Sequence, residues 1–166
     1  MTQAHHIRRF RISLAIFIAA LLVSGIAAFP LQTEPGLLNS FLRSSRIRPI
    51  TDHIHLLLWI DRVQNGLRAT NAQYPFLAYG TDWLAFAHLV IAVLSIGPFI
   101  DPVRNMWVVT FGLIACAGAL PLALIAGPLR DIPLPWRLVD CSFGIFGSIP
   151  LLNCMRSIRS LEHGTR

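Results

Sequence analysis

Four apolar stretches dominate this chain, and each is long enough to cross a lipid bilayer. They comprise residues 12–29, 83–100, 106–127 and 134–155 of the 166-residue sequence. A spanning α-helix needs ~20 mostly apolar residues to cover ~30 Å of hydrocarbon, because each residue adds ~1.5 Å. The sequence therefore predicts an all-α integral membrane protein, a bundle of four transmembrane helices that forms a single domain over residues 1–166.

The composition excludes an ordinary soluble domain, since 54% of the residues are hydrophobic and only 13% are charged. All 14 basic residues are arginines, and most lie at the ends of the apolar stretches or in one loop. Membrane lipids with anionic headgroups are therefore the expected partners. The aromatic residues do not interleave with a basic patch, so nucleic acid is not expected.

The distribution of arginines predicts the orientation of the chain. Arginines precede the first stretch and follow the fourth, namely Arg8, Arg9, Arg11, Arg156, Arg159 and Arg166. Four crossings place both termini on one side, so we expect the bacterial cytoplasmic (inner) membrane with both termini cytoplasmic. The long first loop opposes this orientation, because it also carries arginines. The first stretch, 18 residues long, exceeds the ~7–15 apolar residues of a signal peptide and is expected to be a retained helix.

The first loop, residues 30–82, contains a second type of helix. Apolar residues recur there at helical spacing, namely Leu56, Ile60, Val63 and Leu67. Thr51 is a suitable N-cap, and Asp52 suits the positive end of the helix dipole. The pattern predicts an amphipathic helix over residues 52–69 on the outer membrane surface. It acts either as a connector or as a lid over a site that opens outward.

Small residues within the stretches indicate where helices approach closely. They form the sets Ala20-Ser24-Ala28, Ala115-Ala119 and Gly144-Ser148. Pro121 is expected to kink the third helix, because proline removes a backbone hydrogen bond and its ring clashes with the preceding turn.

Three ionisable residues lie within the apolar stretches, namely His88, Arg137 and Asp140. Such residues cost a few kcal/mol to insert, so they usually face a partner or a cavity. Arg137 and Asp140 have the i, i+3 spacing that allows them to pair. If the second and fourth helices touch, the three residues form one polar cluster in the outer leaflet. Three loop residues would then rim this candidate ligand-binding site, namely Asp82, Arg130 and Asp131.

Two interpretations of this cluster remain open. In the structural one, Arg137 and Asp140 neutralise each other, or Arg137 extends to the headgroups, while His88 bonds a backbone carbonyl. In the functional one, His88 binds a ligand or transfers a proton, with Asp140 sharing that proton or fixing the imidazole tautomer. Arg137 then supplies a fixed positive charge for an anionic ligand.

A metal or haem site is a further hypothesis. His53, His55 and His88, with Asp140 and Glu34, supply the types of ligand that zinc or iron accepts. Residues two apart on a helix point ~200° from each other, so His53 and His55 chelate one ion only in an extended segment. A haem would need a loop histidine as its second axial ligand. Cys116, Cys141 and Cys154 form no Cys-x-x-Cys pair, which disfavours a thiol–disulfide relay.

No glycine-rich phosphate loop, Gly-x-Ser-x-Gly or His-Glu-x-x-His motif occurs, so no cofactor or reaction follows from motifs. The leading hypothesis is a non-catalytic ligand-binding or accessory subunit of a membrane assembly, with other membrane proteins as partners. One alternative is an enzyme that acts on a lipid or isoprenoid at the outer leaflet, with His88 and Asp140 as acid and base. The other is a metal- or haem-binding protein that uses His88 and the loop histidines.

Overall fold

The computed structural model describes residues 3–29, 34–44 and 56–163. The regular structure in these residues is helical, and they contain no β-strand. Four helical segments are long and apolar enough to cross a membrane, namely Gln3–Ala28, Pro75–Ile100, Met106–Leu129 and Leu134–Leu161. The predicted all-α class with four transmembrane helices is therefore confirmed.

The described helices follow one another in a simple order. They are α1 (Gln3–Ala28), α2 (Glu34–Ser44), α3 (Leu56–Gln73), α4 (Tyr79–Leu94), α5 (Ile96–Ile100), α6 (Met106–Pro121), α7 (Gly127–Leu129) and α8 (Leu134–His163). A 3₁₀ turn, Pro75–Ala78, precedes α4, and a π-helical turn, Leu122–Ala126, joins α6 to α7.

The helices extend beyond the apolar stretches that predict them. Helix α1 begins nine residues before Ile12, and α8 continues eight residues past Met155. The added turns are rich in arginine, which forms helix well but carries no hydropathy signal. The loop helix α3 continues to Gln73 and not 69; it ends there because Pro75 disfavours a helical conformation at the residue before it. The predicted start of that helix, with Thr51 and Asp52, lies outside the described residues.

Two prolines interrupt the spanning segments. The second segment breaks at Ser95, between α4 and α5, since Pro98 lacks an N–H and its ring crowds the carbonyl of Leu94. The Ser95 hydroxyl donates to the Ile91 carbonyl oxygen at 2.9 Å. In the third segment, where the sequence predicts a kink at Pro121, the α-helix ends at this proline and continues in π geometry.

The chain divides into two compact units. The first comprises residues 1–22 and 90–166, and the second comprises residues 23–89. The first unit contains parts of all four spanning segments. Its core is formed by side chains of α1, α6 and α8 that are at most 1% exposed, namely Phe10, Leu14, Val109, Leu151, Cys154 and Ile158.

Helices α6 and α8 approach closely through glycines. A Cβ atom on Gly144 would lie 2.5 Å from the carbonyl oxygen of Cys116 and 3.3 Å from Cβ of Ala119. A Cβ on Gly147 would lie 3.1 Å from Cys116 Sγ. The predicted small residues Ala119 and Gly144 therefore do meet at a close contact.

In the second unit, α2 packs on α3. The Asn39 amide donates to Asp61 Oδ1 at 2.5 Å, and the apolar side chains of Leu57 and Ile60 are buried. Helix α1 approaches α4 closely at Gly25, where a Cβ would be 3.0 Å from the carbonyl oxygen of Ala85. The predicted small residues Ala20 and Ser24 of α1 are exposed.

We expect Gly144→Ala to lower the unfolding free energy of the purified protein by about 1–3 kcal/mol, the usual cost of overpacking. The new methyl group would meet the backbone oxygen of Cys116, which cannot rotate away. The matched control is Gly118→Ala in α6, where a Cβ meets nothing within 4 Å. Thermal unfolding in a mild detergent measures both, and equal midpoints for the two variants would contradict the close contact.

Candidate functional site

Arg137 and Asp140 lie in the first turns of α8, which starts directly after Pro133. The backbone N–H groups of Trp136 and Arg137 donate to the Pro133 carbonyl oxygen at 3.0 and 3.2 Å. These bonds begin the helix, so α8 holds both ionisable side chains in a fixed register. Both side chains are half-buried.

The side chain of Arg137 lies against Gly127, the first residue of α7. A Cβ on Gly127 would overlap Cδ of Arg137 and would lie 2.7 Å from its Cγ. Gly127 is therefore a cradle for the aliphatic part of this arginine. The Nε atom of Arg137 is buried and has no hydrogen-bond partner among the described residues.

The aliphatic part of the Arg137 side chain thus packs against the backbone of α7. Its i, i+3 spacing to Asp140 would permit an ion pair, but within the described part of the chain no such pair joins them. The structural interpretation in which these two groups neutralise each other is not what this geometry shows. A guanidinium whose stem is fixed, and which forms no ion pair with the residues that the structure describes, remains able to attract an anion.

The predicted rim residues Arg130 and Asp131 end the short helix α7. The N–H of Ile132 donates to the Gly127 carbonyl oxygen at 3.0 Å, and the N–H of Asp131 donates to that of Pro128 at 3.1 Å. This pair of bonds is a Schellman motif, in which one residue takes the left-handed conformation. Asp131 is that residue, with φ of 55°. Its backbone therefore has a structural role that sequence spacing did not reveal, and its carboxylate is exposed.

His88 belongs to α4 and to the second unit. Its Nδ1 lies 2.8 Å from the carbonyl oxygen of Leu84, one turn earlier. A carbonyl oxygen only accepts, so Nδ1 carries the proton and donates, which leaves Nε2 as the acceptor of the neutral ring. The predicted bond from His88 to a backbone carbonyl is present. Asp82 lies in the first turn of the same helix, where the helix dipole favours a negative charge.

Arg137 and Asp140 belong to one compact unit, with Arg130 and Asp131, while Asp82 and His88 belong to the other. The cluster that joins His88 to Asp140 therefore stays a prediction from the sequence. Of the candidate site residues, Arg137 contacts Gly127 in the first unit, and His88 contacts the carbonyl oxygen of Leu84 in the second.

The metal hypothesis depends on residues of the first loop. His53 and His55 lie outside the described residues, as does the side chain of Glu34. In the described ranges, no group of three or more His, Cys, Asp or Glu side chains is placed to hold a metal ion. The three cysteines, Cys116, Cys141 and Cys154, are free thiols.

One polar contact was not foreseen from the sequence. Arg9 Nη2 of α1 donates to Asn153 Oδ1 of α8 at 3.1 Å. The two residues are 144 positions apart, so no local pattern connects them. The available signal was an asparagine close to the end of an otherwise apolar stretch.

The helix content and the four apolar segments define the class of the molecule: it is an all-α integral membrane protein. Compared with known protein families, with curated proteins and with solved structures, the chain matches none.

We expect Asp131→Gly to raise the unfolding free energy by about 1 kcal/mol, since glycine takes the left-handed conformation without the steric cost of a Cβ. Asp131→Ala should lower the stability, because alanine has neither the freedom of glycine nor the local hydrogen bonding of aspartate. Thermal unfolding of the three proteins checks the order. A glycine variant less stable than the parent would show that the carboxylate, and not the backbone, is what this position requires.

Proposed function

We propose that this protein is a non-catalytic subunit, with a ligand-binding or accessory role, of a larger membrane assembly. The observation that supports this role is an apolar face of α6 and the adjoining π-helical turn that is exposed in the described part of the chain. Its residues recur at helical spacing, namely Phe111, Ile114, Ala115, Gly118 and Leu122.

The centre of this face, called here the Gly118 face, is a depression. A Cβ on Gly118 would meet nothing within 4 Å, while Ile114 and Leu122, one turn to either side, are 57% and 68% exposed. A glycine in a helix costs about 1 kcal/mol relative to alanine. In membrane helices small residues mark the places where another helix approaches closely.

A different side of the same helix supplies an internal comparison. A Cβ on Gly112 would lie 2.8 Å from Cδ1 of Leu151 in α8, so that glycine receives a side chain of this chain. Gly118 forms a similar recess, but no side chain of the described residues fills it. Only 17% of the apolar window of this third spanning segment is buried, the lowest share of the four. A helix of a partner subunit would fill the recess.

We also propose the bacterial cytoplasmic membrane as the location, with both termini cytoplasmic. Arginines at the start of α1, in the turn between α5 and α6 and at the end of α8 support this orientation, since short cytoplasmic segments are enriched in basic residues. Examples are Arg8, Arg104 and Arg156. The same orientation places α3 and the turn after α7 outside.

The assembly role predicts that Gly118→Leu dissociates the native complex, because the leucine side chain fills the recess that the partner helix needs. Blue-native electrophoresis of gently solubilised native membranes should shift the variant from a large species to the free protein. The matched control is Gly80→Leu, which is equally open but lies at the start of α4. A parent protein that migrates only as a free monomer, without bound partner or ligand by mass spectrometry, would refute the proposal.

The orientation is tested by single added cysteines and a membrane-impermeant maleimide. Gly66→Cys in the exposed part of α3 should be labelled in intact spheroplasts. Ser160→Cys near the end of α8 should be labelled only after the membrane is permeabilised. The three native cysteines lie within the spanning segments, and the parent protein supplies their background. Labelling with the opposite pattern would reverse the topology.

A further inference from the structure

Three consecutive residues near the start of α1 contact three different parts of the first unit. Arg9 donates to Asn153 of α8, and Phe10 is fully buried in the core. The guanidinium carbon of Arg11 lies 5.8 Å from the centre of the Phe99 ring in α5, within the range of a cation–π contact. These contacts therefore hold the side chains of Arg9 and Arg11 in defined positions.

The same end of the unit carries a strong positive charge. Six exposed arginines lie there, on α1, in the turn between α5 and α6, and on α8, namely Arg8, Arg9, Arg11, Arg104, Arg156 and Arg159. Among the side chains that the structure describes at this end, the sole carboxylate is that of Asp101. Its Oδ1 already accepts the backbone N–H of Arg104 at 3.1 Å.

Asn153 lies between two of these charges. Arg9 reaches it from α1, and Arg156 lies one turn further along α8, on the same side of that helix. The amide of Asn153 is neutral, so it orients Arg9 without cancelling its charge. A guanidinium has five N–H donors, and the bond to Asn153 uses one of those on Arg9. The remaining donors match the geometry of a phosphate group, which guanidinium binds in a bidentate manner.

Exposed apolar side chains continue along both helices from this pair of arginines. On α1, Ile12 and Ile16 follow Arg9 on one face and are 52% and 59% exposed. On α8, Leu152 precedes Arg156 by one turn and is 43% exposed. A free phosphate ion would use only the charged end. A phospholipid would place its phosphate at the arginines and its acyl chains along these apolar faces.

We propose that Arg9, Asn153 and Arg156 form a binding site for the phosphate headgroup of an anionic phospholipid. Asn153 positions Arg9 beside Arg156, and the lipid phosphate supplies a negative charge for the two guanidinium groups. This site shares no residue with the Gly118 face. Lipid binding can therefore be tested independently of the proposed assembly role.

The test uses the full-length protein in a neutral detergent, titrated with dioleoyl phosphatidylglycerol or dioleoyl phosphatidylcholine, with bound lipid counted by native mass spectrometry. Arg9→Gln and Arg156→Gln should each weaken phosphatidylglycerol binding about fivefold, the factor that corresponds to about 1 kcal/mol per arginine near an anionic surface. Binding of zwitterionic phosphatidylcholine should not change. The control is Arg68→Gln in α3, which removes the same charge from an exposed position outside the site and should have no effect.

The Asn153→Asp variant distinguishes a lipid-binding site from a purely structural contact between Arg9 and Asn153. The aspartate keeps the bond to Arg9 and strengthens it with a charge, so thermal stability should be retained. It should nevertheless weaken phosphatidylglycerol binding, because the carboxylate competes with the lipid phosphate for Arg9. Unchanged binding in this variant, or equal losses in Arg9→Gln and Arg68→Gln, would overturn the proposal. So would displacement of phosphatidylglycerol by an equal concentration of inorganic phosphate, which would identify a phosphate site and not a lipid site.

Discussion

Helices in hydrocarbon gain little by burying apolar side chains, because the lipid tails are equally apolar, so close backbone contact must hold them together. The contact of Gly144 with the carbonyl oxygen of Cys116 meets this requirement between α6 and α8. It brings Leu151 and Ile158 of α8 into the core. It also places two polar residues of α8, Arg137 in its first turn and Asn153 in its second half. Both candidate polar sites of the first unit depend on the placement of this helix.

The four spans could be predicted because hydropathy is a property of each residue and needs no knowledge of its neighbours. The ends of the helices could not be predicted as well. Helix α1 starts among polar residues at Gln3, and α3 continues to Gln73, because helix propagation depends on backbone hydrogen bonds, which hydropathy does not report. Proline acts locally through its missing N–H, and the α-helical part of the third span ends at Pro121, where the sequence predicts a kink.

Sequence reasoning selected His88, Arg137 and Asp140 because an ionisable group in a membrane is costly wherever it lies. It could not choose the partner of Arg137. The i, i+3 spacing favoured Asp140, whereas the structure places the arginine stem on Gly127, a residue on another segment with no chemical signature of its own. The Arg9–Asn153 bond was missed for the same reason, since it joins residues from opposite ends of the chain. The free-energy cost of placing an ionisable residue in a membrane can be judged from the sequence. The partner that this residue contacts on another helix is known only from the three-dimensional structure.

The π-helical turn between Leu122 and Ala126 gives the third span an unusual tolerance of a one-residue deletion. Such a turn holds about one residue more than an α-helical turn. Loss of one of its five residues would let the turn close as an α-helix, so the residues beyond it would keep nearly the same direction. Gly127 would then still face Arg137, and the arginine would keep its recess. A deletion within the regular part of α6 would instead rotate everything beyond it by about 100°.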